Sequence, residues 1–372
     1  MLKLHFLNVE NGDCTVVEHI KGDLRTFGVI DCNRTNDRSS PARDKLVALG
    51  AEKLEFVCIT HPDKDHYSGI FDVLTHFDGK ISQFITFPLG GIIADKERLS
   101  KYLSQIAEMA MRGDDEILTK KYLEFMQIMK WGWEKFRPRD QWIEVTGDYD
   151  LLGFDNFEGV EFYGIMPPRR VKGEFVATML GADRIPKLDN NEISTALLLR
   201  YAGRTIILGG DATRENWDWH RKYRARSKVS ILSDITKLPH HGSRKDNPAD
   251  VLEAFFEKGR SSIAIISADG RRHPDLETFR LLDDLETTRY CTNVCNPNER
   301  QLKRLYKEAK LDSRLEDYLN IFADPIVIEP KPCKGDICIE IGDDGSIVPS
   351  FEFNTICNCT RQILSQNLAP AA

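Results

Sequence analysis

Apolar and polar positions alternate in short runs over the first thirty residues. "LKLHFLNV", "CTVVEHI" and "RTFGVIDC", broken by "ENGD" and "KGD", predict three strands joined by turns, a β-meander over residues 2 to 31. "SSPARDKLVALGA" has a Ser-Pro start, apolar residues at helical spacing and a terminal Gly, so it predicts a helix ending near Gly50. "KLEFVCIT" follows as a buried strand, and its end delivers "HPDKDH" into a strand-to-helix loop. Polar chemistry at the carboxyl end of a strand, with strand, helix and strand in succession, is the habit of open α/β layers.

Farther along, the period changes. From about residue 96 the apolar positions Leu99, Tyr102, Leu103, Ile106 and Met109 recur at helical spacing, and a second run passes through Leu123, Phe125, Met126, Ile128 and Met129. The expectation is a helical insertion over about 96–185, its Met and aromatic stripe packing on the core. "STALLLRYAGRTIILGGDA" predicts a hairpin around Ala202-Gly203 that ends at Asp211. "VSILSDITKLPHHGS" is an apolar strand ending in His240 and His241, and "SSIAIISADGRRHP" is another, followed by a Gly loop and His273. Three consecutive strands therefore end in Asp or His. A charged helix within 299–319 and a hairpin turning at Asp344-Gly345 form a C-terminal extension over about 286–372. No linker separates a second domain, so the chain reads as one domain over 1–372.

Composition supports a globular protein: of 372 residues, 41% are hydrophobic and 29% charged, with no low-complexity tract. The net charge of -7 excludes an all-over basic coat for nucleic acid but leaves room for a local basic groove. Charge at Glu10 and Asp13 interrupts the start before a signal-peptide core forms, and no stretch approaches the roughly 18 apolar residues of a membrane span, so the expected place is the cytoplasm with no membrane partner. Of nine cysteines, Cys14, Cys32 and Cys58 lie in apolar runs and read as core. The six late ones lack the usual metal-knuckle spacing and read as reduced thiols rather than a structural zinc.

The chemistry concentrates in His61, Asp63, Asp65 and His66, four metal-binding side chains within six residues, joined by Asp211 and by one of the paired histidines. Imidazole and carboxylate bind divalent ions well, and two ions can share a bridging carboxylate, for which Asp211 is placed. "HPDKDH" resembles the HxHxDH signature of the metallo-β-lactamase superfamily with Asp63 in place of the second His. With "NVENGDC", "NNEIS", "GGDA", "PHHGS" and the late "HP", it is similar to the hydrolase domain of ComEC-type competence proteins, without their membrane channel. The similarity covers about residues 2–285 outside the insertion, and the late hairpin.

That resemblance implies an α/β fold of the αββα sandwich type, with two mixed sheets flanked by helices, and two divalent ions. Zinc or manganese would serve, and magnesium is compatible with oxygen ligands. His61 and Asp63 would hold one ion, Asp65 and His66 the other, with Asp211 bridging. His241 or His240 completes the second site; His241 is favoured because the superfamily's last histidine precedes a Gly. "DNNEIS" stands where a third histidine is expected, and Asn191 or Ser194 would offer an oxygen or a hydrogen bond there. Asp65 would hold the attacking water, and His273 is a candidate to contact the substrate phosphate or protonate the leaving group, with Arg271 and Arg272 nearby to offset phosphate charge; the alternative for His273 is a loop histidine capping the helix that begins "HPDLETF".

The reaction so implied is phosphodiester hydrolysis on DNA, RNA or a small cyclic nucleotide. The alternatives are an ester, lactone or amide hydrolase of the same superfamily, and a catalytically silent scaffold. The basic run His220–Lys228 reads as a solvated helix face, with tracking of a nucleic-acid backbone as the alternative. The helical insertion is a candidate surface for a protein partner.

Overall fold

The computed structural model describes residues 1–35, 40–93, 95–112, 116–147, 149–174, 190–224, 230–270, 272–293, 299–316 and 333–353. The initial meander is present as β1 (Leu2–Phe6), β2 (Cys14–Lys21) and β3 (Leu24–Cys32). Helix α1 (Pro41–Ala48) follows, capped by the Ser40 hydroxyl, which accepts a hydrogen bond from the Arg43 N–H. The chain then returns as β4 (Leu54–Ile59), with β3 and β4 parallel.

Beyond β4 come the single turn α2 (Lys64–Tyr67) and α3 (Ile70–His76), then β5 (Ile81–Thr86). The expected loop at 61–66 is thus half helical, with Asp65 and His66 inside α2. Within 96–185 the described residues form α4 (Lys96–Arg112) and α5 (Glu116–Lys135) and a short helical run at 169–174, and between these β6 (Trp142–Glu144), β7 (Asp150–Leu152) and β8 (Glu161–Met166) supply strands to both sheets. Runs of three to six residues such as "WIE" carry too little periodicity to stand out beside two long helices. Residues 175–189 lie outside the described part.

The later chain forms the hairpin β9 (Ala196–Tyr201) and β10 (Arg204–Leu208), then β11 (Ile235–Lys237), β12 (Ile263–Ile266) and β13 (Thr288–Cys291), and returns as β14 (Ile337–Ile341) and β15 (Ile347–Phe351). Interleaved are α6 (Arg214–Arg224), α7 (Ala249–Phe255), α8 (Leu276–Asp284) and α9 (Glu299–Leu311).

Two mixed sheets result. One has the order β15-β14-β1-β2-β3-β4-β5-β6, the other β13-β12-β11-β10-β9-β8-β7. Each is antiparallel at one end and parallel at the other, the parallel halves being β3 to β6 and β10 to β13. The inner faces share one apolar cluster, including Leu4, Phe56, Cys58, Leu197, Leu199, Ile206, Ile235, Ile265 and Ile339. On the outer face of the first sheet, α1, α3, α4 and α5 bury Leu46, Leu74, Leu99 and Met129; on that of the second, α6 to α9 bury Trp217, Phe255, Phe279 and Leu305. This is an αββα sandwich. Among the described residues, no helix is long and apolar enough to cross a membrane.

Phe56 shows how tightly the inner layer is set. Its ring stacks on Phe154 at 4.6 Å and meets Phe162 edge-on, while on the neighbouring strand its partner is Gly28, where an added Cβ would stand 2.3 Å from the ring. Phe56→Ala should therefore cost about 3–5 kcal/mol. Gly28→Ala should be destabilising in the parent and far less so beside Phe56→Ala, a coupling that a denaturant double-mutant cycle reads; equal costs in both backgrounds would contradict this packing.

On the outer face, Glu124 of α5 packs beside Asp72 of α3 and pairs with Arg34 at 3.1 Å. Burial pushes the Glu124 carboxyl up to about 7; Arg34 works against the rise and Asp72 adds to it. A raised folded value means that stability present below the unfolded value near 4.5 is lost as pH rises through about 7. Glu124→Gln should equal the parent at pH ~5 and exceed it at pH ~8 in urea melts; a difference that does not change with pH would rule this out.

Candidate metal centre

The carboxyl ends of the parallel strands from both sheets meet at one edge of the sandwich. β3 ends in Asp31-Cys32, β4 leads into Thr60-His61, β10 into Gly209-Gly210-Asp211, β11 into Leu238-Pro239-His240-His241 and β12 into Ser267. Apolar residues hold the strands between the sheets, so the first polar residue past each run is delivered to the same place.

Each of three imidazoles is fixed through Nδ1. His61 Nδ1 lies 3.0 Å from Thr60 Oγ1, His66 Nδ1 lies 2.7 Å from Asp31 Oδ2, and His241 Nδ1 donates to the Ser267 carbonyl at 2.9 Å. Their Nε2 atoms are all buried without a hydrogen-bond partner, as is Asp211 Oδ1. They converge on the Asp211 carboxylate at 3.7 Å from His61, 3.4 Å from His66 and 3.6 Å from His241. Ligand atoms about 2.0–2.1 Å from one tetrahedral ion stand about 3.3 Å apart, so these spacings suit donors sharing an ion. Imidazoles oriented at Nδ1 and open at Nε2 are the arrangement of metal-binding histidines. The residues therefore fit divalent ions.

Asp211 owes its place to Gly210, which adopts φ +52° and whose added Cβ would lie 2.5 Å from the Thr195 carbonyl. That close approach lets the Asp211 N–H donate to Ser194 Oγ at 2.9 Å. Ser194 is fully buried, with its hydroxyl also 3.4 Å from His61 Nδ1. It thus contacts both Asp211 and His61 from its buried position.

Among the described residues, four groups of donors lie close enough to hold an ion: His61, His66 and Asp211; Asp65, His66 and His241; Asp13, Asp211 and His241; and Asp13, Asp31 and His66. His66 is shared by three of them, and Asp63 is in none. Asp63 is half-exposed, 3.9 Å from His61 Nε2, and accepts a hydrogen bond from Asn190 Nδ2 at 2.7 Å. Asp65 keeps an open carboxylate, with Oδ2 accepting from Asn11 Nδ2 at 2.8 Å and lying 3.8 Å from His241 Nε2.

The paired histidines part company. Both take left-handed backbone, with φ +46° and +53°, a conformation held by the surrounding loop. His241 points inward, whereas His240 is bound through Nδ1 to the buried Asp246 at 2.6 Å and stays 3.9 Å from Asp211. Asn191 reaches His240 at 3.5 Å, and the His273 ring lies 4.9 Å from that of His240. Arg272 is exposed beside His273, and Arg271 lies outside the described residues.

Electrostatics follow the packing. At Asp211 burial opposes charge, but His241, His66 and His61 hold the carboxyl well below the usual range. Burial also opposes charge on His66, yet Asp211 and Asp31 carry it well above its ordinary value. Burial, then the neighbouring His66, lower His61. Protons here are shared among closely spaced donors, and a cation arriving in their midst would displace them.

Sequence reading passed over the residues behind the donors: Asn11, Asp13, Asp31, Thr60, Asn190, Lys237, Asp246 and Ser267. Asp31 had the same signal as Asp211, an acid closing an apolar strand. The others gain meaning only from contacts across the fold.

No family model and no curated protein matches the chain. Among solved structures, a mutant of CmlA β-hydroxylase is 14% identical over 85% of this chain and 51% of its own, at TM-score 0.39, so the chain spans about half of that protein's length. A metallo hydrolase from the hyperthermophilic archaeon Ignicoccus hospitalis is 10% identical over 78% of this chain and 95% of its own, at TM-score 0.41. The short form of human tRNase Z is 14% identical over 72% and 92%, at TM-score 0.36. At such identities and scores they bear on neither substrate nor mechanism.

The geometry separates the two adjacent histidines. His241→Ala should lose at least half of the bound divalent metal by elemental analysis, whereas His240→Ala should keep the parent's content; equal losses would put His240 among the ligands.

Proposed function

We propose that the chain is a metal-dependent hydrolase of the metallo-β-lactamase superfamily, cleaving phosphodiesters in a nucleotide or nucleic acid. The observation that carries the proposal is the convergence of three unpartnered imidazole Nε2 atoms on the buried Asp211 carboxylate. His61, His66, Asp211, Asp65 and His241 would hold two divalent ions, with Asp63 in reach of the first. The carboxylate share favours manganese as well as zinc, with magnesium compatible. Divalent ions held there supply Lewis acidity, acidifying water and offsetting charge that develops at phosphorus.

The chain's own groups divide the remaining work. Asp65, anchored by Asn11 and partly open, would hold the attacking water and take its proton. Burial keeps His273 below its ordinary value, which suits a neutral imidazole donating a hydrogen bond to a phosphate oxygen. Burial opposes charge on His240, but the Asp246 contact raises it, which suits protonation of the leaving oxygen. Support for a phosphate substrate comes from exposed Lys64, Arg244, Lys245 and Arg272, on the segments that carry the donors and His273.

Protein reloaded with manganese should hydrolyse bis(p-nitrophenyl) phosphate, and Asp65→Ala should lower the rate by about 100-fold or more. Absence of hydrolysis above that variant with manganese, zinc and magnesium would discard the phosphodiesterase and leave an acyl hydrolase or a binding scaffold.

A further inference from the structure

A lysine deep inside the sandwich has no role in the chemistry above. Lys237, on β11, is 3% exposed, and its ammonium donates to Asp13 Oδ2 in the loop before β2, itself 4% exposed. Lysine is almost never buried this far unless paired, and an apolar side chain could fill the same space without the cost of desolvating two charges.

Asp13 touches both ligand-bearing segments. Its Oδ1 has no hydrogen-bond partner and lies 3.4 Å from His241 Nδ1, while Oδ2 lies 3.9 Å from His66 Nδ1. Its N–H donates to the Asp65 carbonyl at 3.1 Å, and its carbonyl accepts from the Asn33 N–H at 3.0 Å. Lys237 is held in turn by the Gly209 N–H, which donates to its carbonyl at 3.1 Å, and it lies four residues before His241. One ion pair thus joins the turn bearing Asp65 and His66, from the first sheet, to the strand end bearing His241, from the second.

The same corner gathers Asp13, Asp31 and His66 Nδ1 closely enough to attract a cation. The Lys237 ammonium, bound to Asp13, supplies that positive charge from within the chain. We infer that the Asp13–Lys237 pair is a positioning device that sets His66 and His241 in register across the two sheets and balances charge behind them with a built-in cation. The inference rests on the proposed metal centre, and neither residue touches substrate.

The experiment compares the parent, Lys237→Met, Asp13→Asn and the double variant carrying both, by thermal melting without metal and by zinc affinity in competition with a chromogenic chelator. Each single variant should melt lower, since each disturbs a buried pair. The double leaves no unpaired charge and should recover most of the melting temperature. Positioning predicts that it still binds zinc at least 10-fold more weakly than the parent, as losses behind metal ligands do. A double variant that melts like the parent and binds zinc as tightly overturns the inference while leaving the metal centre standing. A folded parent that takes no zinc or manganese removes the metal centre, and the inference with it.

Discussion

The Asp31 carboxylate holds the centre together. It accepts the Thr60 N–H at 2.8 Å and the Thr60 hydroxyl at 2.7 Å, and it faces His66 Nδ1 at 2.7 Å. A single buried acid at the end of β3 therefore fixes both the exit of β4 and the ring one turn into the following helix. The Thr60 hydroxyl passes the constraint on to His61. None of this requires a long-range force: β3 and β4 are parallel neighbours, and the apolar faces that pair their sheet with the other bring Asp211 and His241 to the same edge.

That edge is costly ground. Five carboxylates, from Asp13, Asp31, Asp63, Asp65 and Asp211, crowd a region where Lys237 supplies a buried ammonium. Like charges this close repel strongly when water is excluded, and imidazoles absorb part of the excess as shared protons. Such crowding makes little sense as a means of stability. It makes sense as a site whose charge is completed by something from outside the chain.

Much of this was legible in the sequence, for a physical reason. Strands buried on both faces read as unbroken apolar runs, so the polar residues just past each one are conspicuous; His61, Asp211, His240 and His241 were all marked in this way. Other features were not. Which of two adjacent histidines faces inward depends on left-handed backbone at both, which the letters "HH" do not carry. Lys237 meets Asp13 across 224 residues of chain, and in "DITKLP" it looks like any strand lysine. Asp63 looked equivalent to Asp65, but an asparagine 127 positions away holds one and not the other. β6 and β7, three residues each, exist because longer neighbours offer them an edge.

The place of β14 bears on how the chain reaches this state. β1 lies between β2 and β14, so the first strand finds its second neighbour only in residues more than 330 positions later. During synthesis the loop carrying Asp13 and the strand carrying Asp31 leave the ribosome long before that neighbour exists. Until then β1 presents an open edge of backbone donors and acceptors, the kind of surface that pairs with the wrong chain. Closure of that edge is therefore a late event in the birth of the molecule, and the charged pocket must be held by local contacts such as those of Asp31 while it waits.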